Sequence, residues 1–478
     1  MWGVWLMVDI DSGRAGKVIR FPGRTRRATG MPPTTRIGRD AKLATVPVAY
    51  AGRWVAGRGR RLMGASAAEV EHDIQLRTAE HLADVLGELR GCAAKLGQLA
   101  GLFRAAIPFE AAEVAGRALS RLQDSAPPMM PILVHGALER GFGPEWRRLF
   151  REFEDRPAAA ASLGQVHRAV WHDGGAVAVK VMYPGAREAV AADLSHLRGL
   201  SGVLRALMPG ADVDAVIATV CAMVGDELDY RRVAGYQQRC ADAFAGDPDF
   251  LVPAVIEVAD EVLISEWVDG RPLTRLVESG PPAELSRVGL GVFRMLEAMA
   301  RRCGVLYADV HPGNFFVLPD GRIAAVDFGA CDKYPDNFLT MLIDIGDAVY
   351  NGGPAELDVA LRRHGFVAAG QEFDVEELIR VVEPFKRIPL QPDFRMTSSW
   401  LREQVTAIAT VRLSNVFRQM TLPPDLTTFA RKVASCIALL SLFEIEHLSR
   451  ELPVWWPEVS AAVRRDEETV APRAAGLP

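Results

Sequence analysis

The chain has 478 residues, 49% of them hydrophobic, and a mean hydropathy of +0.08. That is enough apolar material for a buried core, and it excludes an intrinsically disordered protein; 42 glycines without a fixed period exclude collagen. A formal net charge of −5 and a pI near 6.1 argue against a general nucleic-acid binder, so no nucleic-acid partner is expected.

Residues 1–62 hold 13 Lys/Arg and only three acids, Asp9, Asp11 and Asp40. This segment is expected to be a flexible basic leader. It is either simply solvated or an arm that touches an anionic membrane surface. Residues 63–135 turn helical: Ile74, Leu82, Val85, Leu86, Leu89, Ala93, Leu96, Leu99 and Phe103 recur at three- and four-residue steps. Residues 136–268 contain two strands, Ala176–Met182 and Val262–Val268, with helices between them around Glu188–Leu207 and Val213–Gln238. Residues 269–465 are mainly helical. There Leu285–Cys303 ends at Gly304, and Phe315–Leu318 with Ile323–Val326 forms a short hairpin. Residues 466–478 form a tail. The six cysteines are widely spaced, which disfavours a disulfide framework or a zinc site. No apolar run reaches the ~18–20 residues of a spanning helix, so the expected location is cytoplasmic, with peripheral membrane contact open.

The strongest chemical signal is Asp309-Val310-His311-Pro312-Gly313-Asn314 followed by Asp327-Phe328-Gly329. The D-x-x-x-x-N spacing is that of kinase catalytic loops, and the hairpin can bring Asn314 and Asp327 to one cleft. Phosphoryl transfer needs one carboxylate, here Asp309, to orient or deprotonate an acceptor. It also needs oxygen ligands, here Asn314 and Asp327, to hold Mg²⁺ against phosphates. Upstream, Lys180 lies in Val177-Ala178-Val179-Lys180. A lysine in a buried strand needs an anionic partner. Each motif alone is weak; their order along the chain is specific. His311 and His167 read as structural residues. The Leu452–Pro457 aromatic stretch reads as packing or as a lipid-facing patch.

The chain resembles the UbiB/AarF-type atypical kinase-like proteins, related to the coenzyme Q biosynthesis kinases of mitochondria. The resemblance rests on Lys95-Leu96-Gly97-Gln98 (KxGQ), Leu119–Pro128 and the alanine-rich Ala159-Ala160-Ala161-Ser162-x-Gly164-Gln165-Val166-His167. It also rests on Val177–Gly185, Glu227-Leu228-Asp229-Tyr230 (ExD), Asp309–Asn314 and Asp327–Gly329. It implies an α+β, two-lobed protein-kinase-like fold with an N-terminal helical KxGQ extension, and ATP or ADP with Mg²⁺ as cofactors. Isoprenoid or other lipids are the implied partners. It makes Asp309 and Lys180 catalytic, and Asn314 and Asp327 metal ligands. Ala159, Ala160, Ala161, Ser162, Lys180, Glu227, Glu266, Lys95 and Gln98 become nucleotide-cleft residues, with Lys95 and Gln98 facing Glu227 and Asp229.

Three departures stand out. Val233 occupies a position where the family often has glutamate, which leaves Glu227 or Asp229 to pair with Lys180. Tyr307 and Val310 replace residues of H-x-D-P-H-P-G-N. The paired transmembrane segment of some members is missing. No A-P-E follows Asp327, which disfavours a peptide-docking kinase. The expected function is an ATP/Mg²⁺-dependent atypical kinase or ATPase acting on or supporting isoprenoid-quinone or lipid metabolism. The alternatives are a nucleotide-gated pseudokinase and a small-molecule phosphotransferase.

Overall fold

The structure is a computed structural model. It describes residues 128–455 apart from 162, 200, 203–212, 392, 411–415 and 417–418, together with isolated positions between 49 and 77 and at 457. Nearly all of the basic leader, the KxGQ residues Lys95 and Gln98, Ser162 and the tail therefore lie outside the described residues.

In chain order the chain first forms α1 (Pro131–Phe142), β1 (Phe150–Phe153), β2 (Ala159–Ala161), β3 (Gly164–Trp171) and β4 (Ala176–Met182). Helices α2 (Ala186–Gly199), α3 (Val213–Glu227) and α4 (Tyr230–Ala243) follow, then β5 (Phe250–Leu251), β6 (Val255–Val258), β7 (Val262–Glu266) and β8 (Arg271–Pro272). Next come α5 (Leu273–Ser279), α6 (Pro282–Ala298), β9 (Val305–Tyr307), β10 (Phe315–Val317), β11 (Ile323–Ala325) and β12 (Cys331–Lys333). The remainder is helical: α7 (Phe338–Tyr350), α8 (Pro354–Arg363), α9 (Val375–Lys386), α10 (Ser398–Thr410), α11 (Thr427–Leu442) and α12 (Leu448–Trp455). This is the mixed α+β composition expected from the sequence.

The first sheet is antiparallel, in the order β1-β3-β4-β7-β6, with β2 paired to β3. Alternation along β4 decides its two faces. Val177, Val179 and Val181 are buried against Val134, Ala137 and Leu138 of α1, while Lys180 takes the opposite side. Helix α1 starts with Pro131, where a missing N–H costs nothing. Because α1 packs on this sheet, a boundary between an extension ending at 135 and a lobe starting at 136 cuts through a helix that belongs to the sheet. The alanine-rich segment, placed at the nucleotide cleft by the resemblance, is a tight hairpin: Ala159, Ala160 and Ala161 pair with Val166, Gln165 and Gly164. Gly164 is required there, since a Cβ would lie 2.3 Å from the Val181 carbonyl oxygen.

The helical material expected around Val213–Gln238 is divided into two helices. Asp229 accepts from the backbone N–H groups of Arg231 and Arg232, both at 3.1 Å, and so starts α4 as its N-cap. Helix α6 widens into a π turn over Met299–Cys303 and stops at Gly304, whose φ of +63° suits glycine. The predicted hairpin is β10/β11, flanked by β5 and β8 in a four-stranded sheet. A further pair, β9 with β12, was not legible in the sequence.

Helix α11 carries two adjacent buried cations. Lys432 donates to Glu297 of α6 at 2.8 Å and to the Tyr334 hydroxyl at 2.7 Å, and all but about a twentieth of each partner of the ion pair is buried. Burial works to lower the Lys432 pKa, but Tyr334 and Glu297 outweigh it and hold it above the ordinary lysine range. Removing one member of such a pair strands a charge in the core. Glu297→Ala is therefore expected to cost about 3–5 kcal/mol in denaturant unfolding, while the double variant Glu297→Leu/Lys432→Met recovers most of the loss. A double variant as unstable as the single one would contradict this account.

Candidate functional site

The site forms where the free face of the first sheet meets the loops between β9 and β12. Lys180 of β4 donates from Nζ to Asp327 Oδ1 at 2.9 Å, across 147 residues of chain. The lysine side chain is 14% exposed and the aspartate 24%. Burial works to lower the Lys180 pKa; the charge of Asp327, with Tyr230 and Glu227, more than offsets it and holds the ammonium above its ordinary value. Lys180 thus stays charged at neutral pH. Its partner is Asp327, rather than Glu227 or Asp229. Asp229 is spent on the cap of α4. Glu227 is buried and packs so closely on the Asp327–Gly329 turn that a Cβ at Gly329 would lie 2.9 Å from its Cγ.

Asp327 has φ of +62°, left-handed backbone that few side chains accept. The conformation is stabilised locally: Gly329 N–H donates to Asp327 Oδ1 at 3.1 Å. The same oxygen therefore serves a cation and a backbone amide. Immediately before it, the Val326 carbonyl oxygen accepts from the Tyr307 hydroxyl at 2.9 Å, and the Tyr307 ring meets Phe328 edge-on at 5.3 Å. Tyr307, the departure just before the Asp309–Asn314 loop, thus clamps that loop to the Asp327 turn. The Val326 N–H donates to the Asn314 carbonyl at 2.9 Å and reinforces the junction.

Asp309 is held from two sides. Arg431 Nη2 of α11 donates to Oδ1 at 2.6 Å, and Asn314 Nδ2 donates to the Asp309 carbonyl at 3.0 Å and to Oδ2 at 3.3 Å. The Asn314 amide nitrogen is committed to Asp309, which leaves its oxygen as a donor for a hard cation. Asp327 and Asn314 together offer the oxygen chemistry that Mg²⁺ takes, so the residues present fit that ion. Arg431 is 1% exposed and was missed in the sequence, although two adjacent cations at the head of the apolar run Val433–Phe443 were a visible signal.

Other expected cleft residues behave differently. Ala159 and Ala160 are exposed on their hairpin, and Ala161 is half-buried. The Glu266 carboxylate accepts from the Ala254 N–H at 3.0 Å, tying the end of β7 to the start of β6. Val233, which stands where a glutamate was expected, is buried in the core of α4. Lys95, Gln98 and Ser162 lie outside the described residues. No helix among the described residues is long and apolar enough to cross a membrane.

Comparison with known proteins agrees with this geometry. The profile of the ABC1 atypical kinase-like domain matches residues 121–357. An atypical mitochondrial kinase of Caenorhabditis elegans, coq-8, is 30% identical over 377 residues, covering 74% of this chain and 48% of its own length. An uncharacterized Synechocystis protein, slr0889, is 32% identical over 286 residues, covering 57% of this chain and 69% of its own. Among solved structures, the Mycobacterium tuberculosis protein Rv3197 in complex with erythromycin has 34% identity and a TM-score of 0.59, with 83% of this chain and 100% of that chain covered. The chain spans about half the length of the named atypical kinases it matches.

Two histidines singled out in the sequence serve the fold. The His311 ring accepts from the Gly313 N–H at 3.1 Å and caps the turn that presents Asn314. His167 is fully buried between Gln165 Nε2 and the Glu154 carbonyl, both at 2.8 Å, and stacks on Phe153. Burial holds its pKa below the ordinary value, outweighing the Glu154 hydrogen bond. The unfolded chain, with a histidine pKa of about 6.5, then binds the proton more readily than the folded one. Stability is therefore expected to fall as pH drops below about 6.5 towards the lower folded value. Urea unfolding between pH 7.5 and 5.5 checks this: a His167→Gln variant should lose less over that range than the parent, and an identical slope would remove His167 as the cause.

Proposed function

This chain belongs to the ABC1 atypical kinase-like family of the UbiB/AarF type, and we propose that it binds ATP or ADP with Mg²⁺ in the Lys180–Asp327–Asn314 cleft and catalyses phosphoryl transfer or ATP hydrolysis. The observation that carries this reading is the convergence of Lys180 and Asp327 beside the Asp309–Asn314 pair, from segments far apart in the chain. Four chemically matched side chains meeting in one place serve phosphate chemistry better than they serve packing.

Each residue has a distinct part. Lys180 holds phosphate oxygens as a point charge. Asp327 and Asn314 hold the cation, and the bound Mg²⁺ supplies charge neutralisation at the phosphates. Asp309 aims at the acceptor. The Arg431 guanidinium on one oxygen and the Asn314 amide on the other fix the orientation of its carboxylate. Its role is therefore to orient an acceptor hydroxyl or water more than to strip its proton. This suits a loose transition state, in which nucleophile activation matters little. It also favours catalysis over a purely nucleotide-gated role, since a binding protein needs no ordered aspartate there.

The acceptor is proposed to be an isoprenoid quinone precursor or another lipid-derived molecule, or water, in support of lipid metabolism. Support comes from the family and from the lack of an A-P-E sequence after Asp327. The basic residues of 1–62 are proposed to hold the protein at an anionic membrane surface.

Two substitutions separate binding from turnover. Asp327→Asn is expected to abolish Mg²⁺-dependent nucleotide binding in calorimetry while the fold survives. Asp309→Asn is expected to leave binding intact and to lower ATP turnover by about 10²–10⁴-fold. Unchanged MgATP affinity in the first would take Asp327 out of the metal site, and unchanged turnover in the second would reduce Asp309 to a structural role.

A further inference from the structure

Tyr230 opens α4, directly after the Asp229 cap, and only 2% of it is exposed. Its ring lies against Lys180, with Nζ 5.7 Å from the ring centroid, and both Asp327 and Glu227 act on it electrostatically. The hydroxyl has no hydrogen-bond partner among the described residues. A buried hydroxyl without a partner is destabilising, and phenylalanine would fill the same space without that cost. The fold therefore gains nothing from this oxygen.

We propose that the Tyr230 hydroxyl is a phosphate-binding group, donating a hydrogen bond to a phosphate oxygen of the nucleotide when the Lys180–Asp327 pair opens. This rests on the nucleotide reading above and adds a residue to it. The direction of the bond follows from the chemistry. Burial pushes the phenol up to about 12, so it is a neutral O–H donor at neutral pH. Lys180 beside it supplies the positive charge that an incoming phosphate needs. The backbone N–H groups of Arg231 and Arg232 are already taken by Asp229, so the helix terminus itself has little to offer an anion. The phenol is what remains. With the pair closed, Lys180 and Asp327 stand in front of it. A phosphate that replaces Asp327 as the partner of the ammonium comes alongside the hydroxyl at the same moment.

The test is ADP titration calorimetry in Mg²⁺ on the full chain and on Tyr230→Phe, with thermal melts of both in the absence of nucleotide. A hydrogen bond to a charged group corresponds to about tenfold in affinity, so ADP should bind about tenfold more weakly to the variant. The nucleotide-free melting temperature should be unchanged or higher, because the variant loses only an unsatisfied group. Equal ADP affinity overturns the proposal. Weaker binding accompanied by a lower nucleotide-free melting temperature also overturns it, since the hydroxyl would then be a structural group. A parent protein that binds no ADP defeats the nucleotide reading itself. A parent that binds ADP, with binding lost in Lys180→Met, keeps that reading even if Tyr230→Phe is silent.

Discussion

A lysine on the inner face of a valine-rich strand cannot stay buried without an anion, and the architecture around the cleft answers that requirement. Lys180 stands on β4 because alternation places it opposite Val177, Val179 and Val181, which pack on α1. Its counter-ion comes from the turn after β11, so one charge pair joins the sheet to the helical part of the chain. The pair is short and well shielded, yet both side chains retain some exposure. That intermediate burial is the useful regime. Full burial would lock the two charges together, whereas an exposed pair would be worth little and would not position either partner. A cleft closed by such a pair can be entered only by a ligand that offers both a new anion and a new cation, as a magnesium-bound nucleotide does.

The second organising feature is the attachment of the Asp309–Asn314 loop to α11. Arg431 and Lys432 are neighbours in sequence but serve different partners: Arg431 reaches Asp309, and Lys432 reaches Glu297 and Tyr334. Two cations at the start of one helix thus fix the loop bearing Asp309 and the end of α6 at a common reference. Tyr307 adds the link to the Asp327 turn through the Val326 carbonyl and the Phe328 ring. Asp309 and Asp327 are held by one connected set of contacts, while Lys180 approaches from a separate element. Relative movement of the sheet is then the natural way to admit a ligand.

Much of this was legible in the sequence, and the reasons are physical. D-x-x-x-x-N, the DFG turn and the strand lysine carry unusual residue types at fixed spacing. The valine alternation around Lys180 and the hairpin after Asn314 follow from period and turn chemistry. What was not legible depends on distance in the chain. Nothing local shows that Lys180 would find Asp327, or that Arg431 would find Asp309 from 122 residues away. Asp229 was misjudged because an acidic residue after a helical run has two uses, ligand and cap, and only the backbone tells them apart. The alanine-rich segment was placed at the nucleotide cleft by resemblance alone, and its strand pairing was not read. It is a hairpin because Gly164 lets β3 come within contact of the β4 backbone.

The left-handed backbone at Asp327 has a consequence for the history of such a site. Glycine and asparagine adopt φ near +62° at the least cost, so at this position the residues that suit the backbone best are ones that carry no charge. Folding therefore pulls two ways at this position: the backbone would favour an uncharged residue, but the buried Lys180 ammonium needs a carboxylate opposite it. Losing the aspartate alone strands that lysine charge, so an inert relative with the same architecture is reached most easily when both charges are lost together.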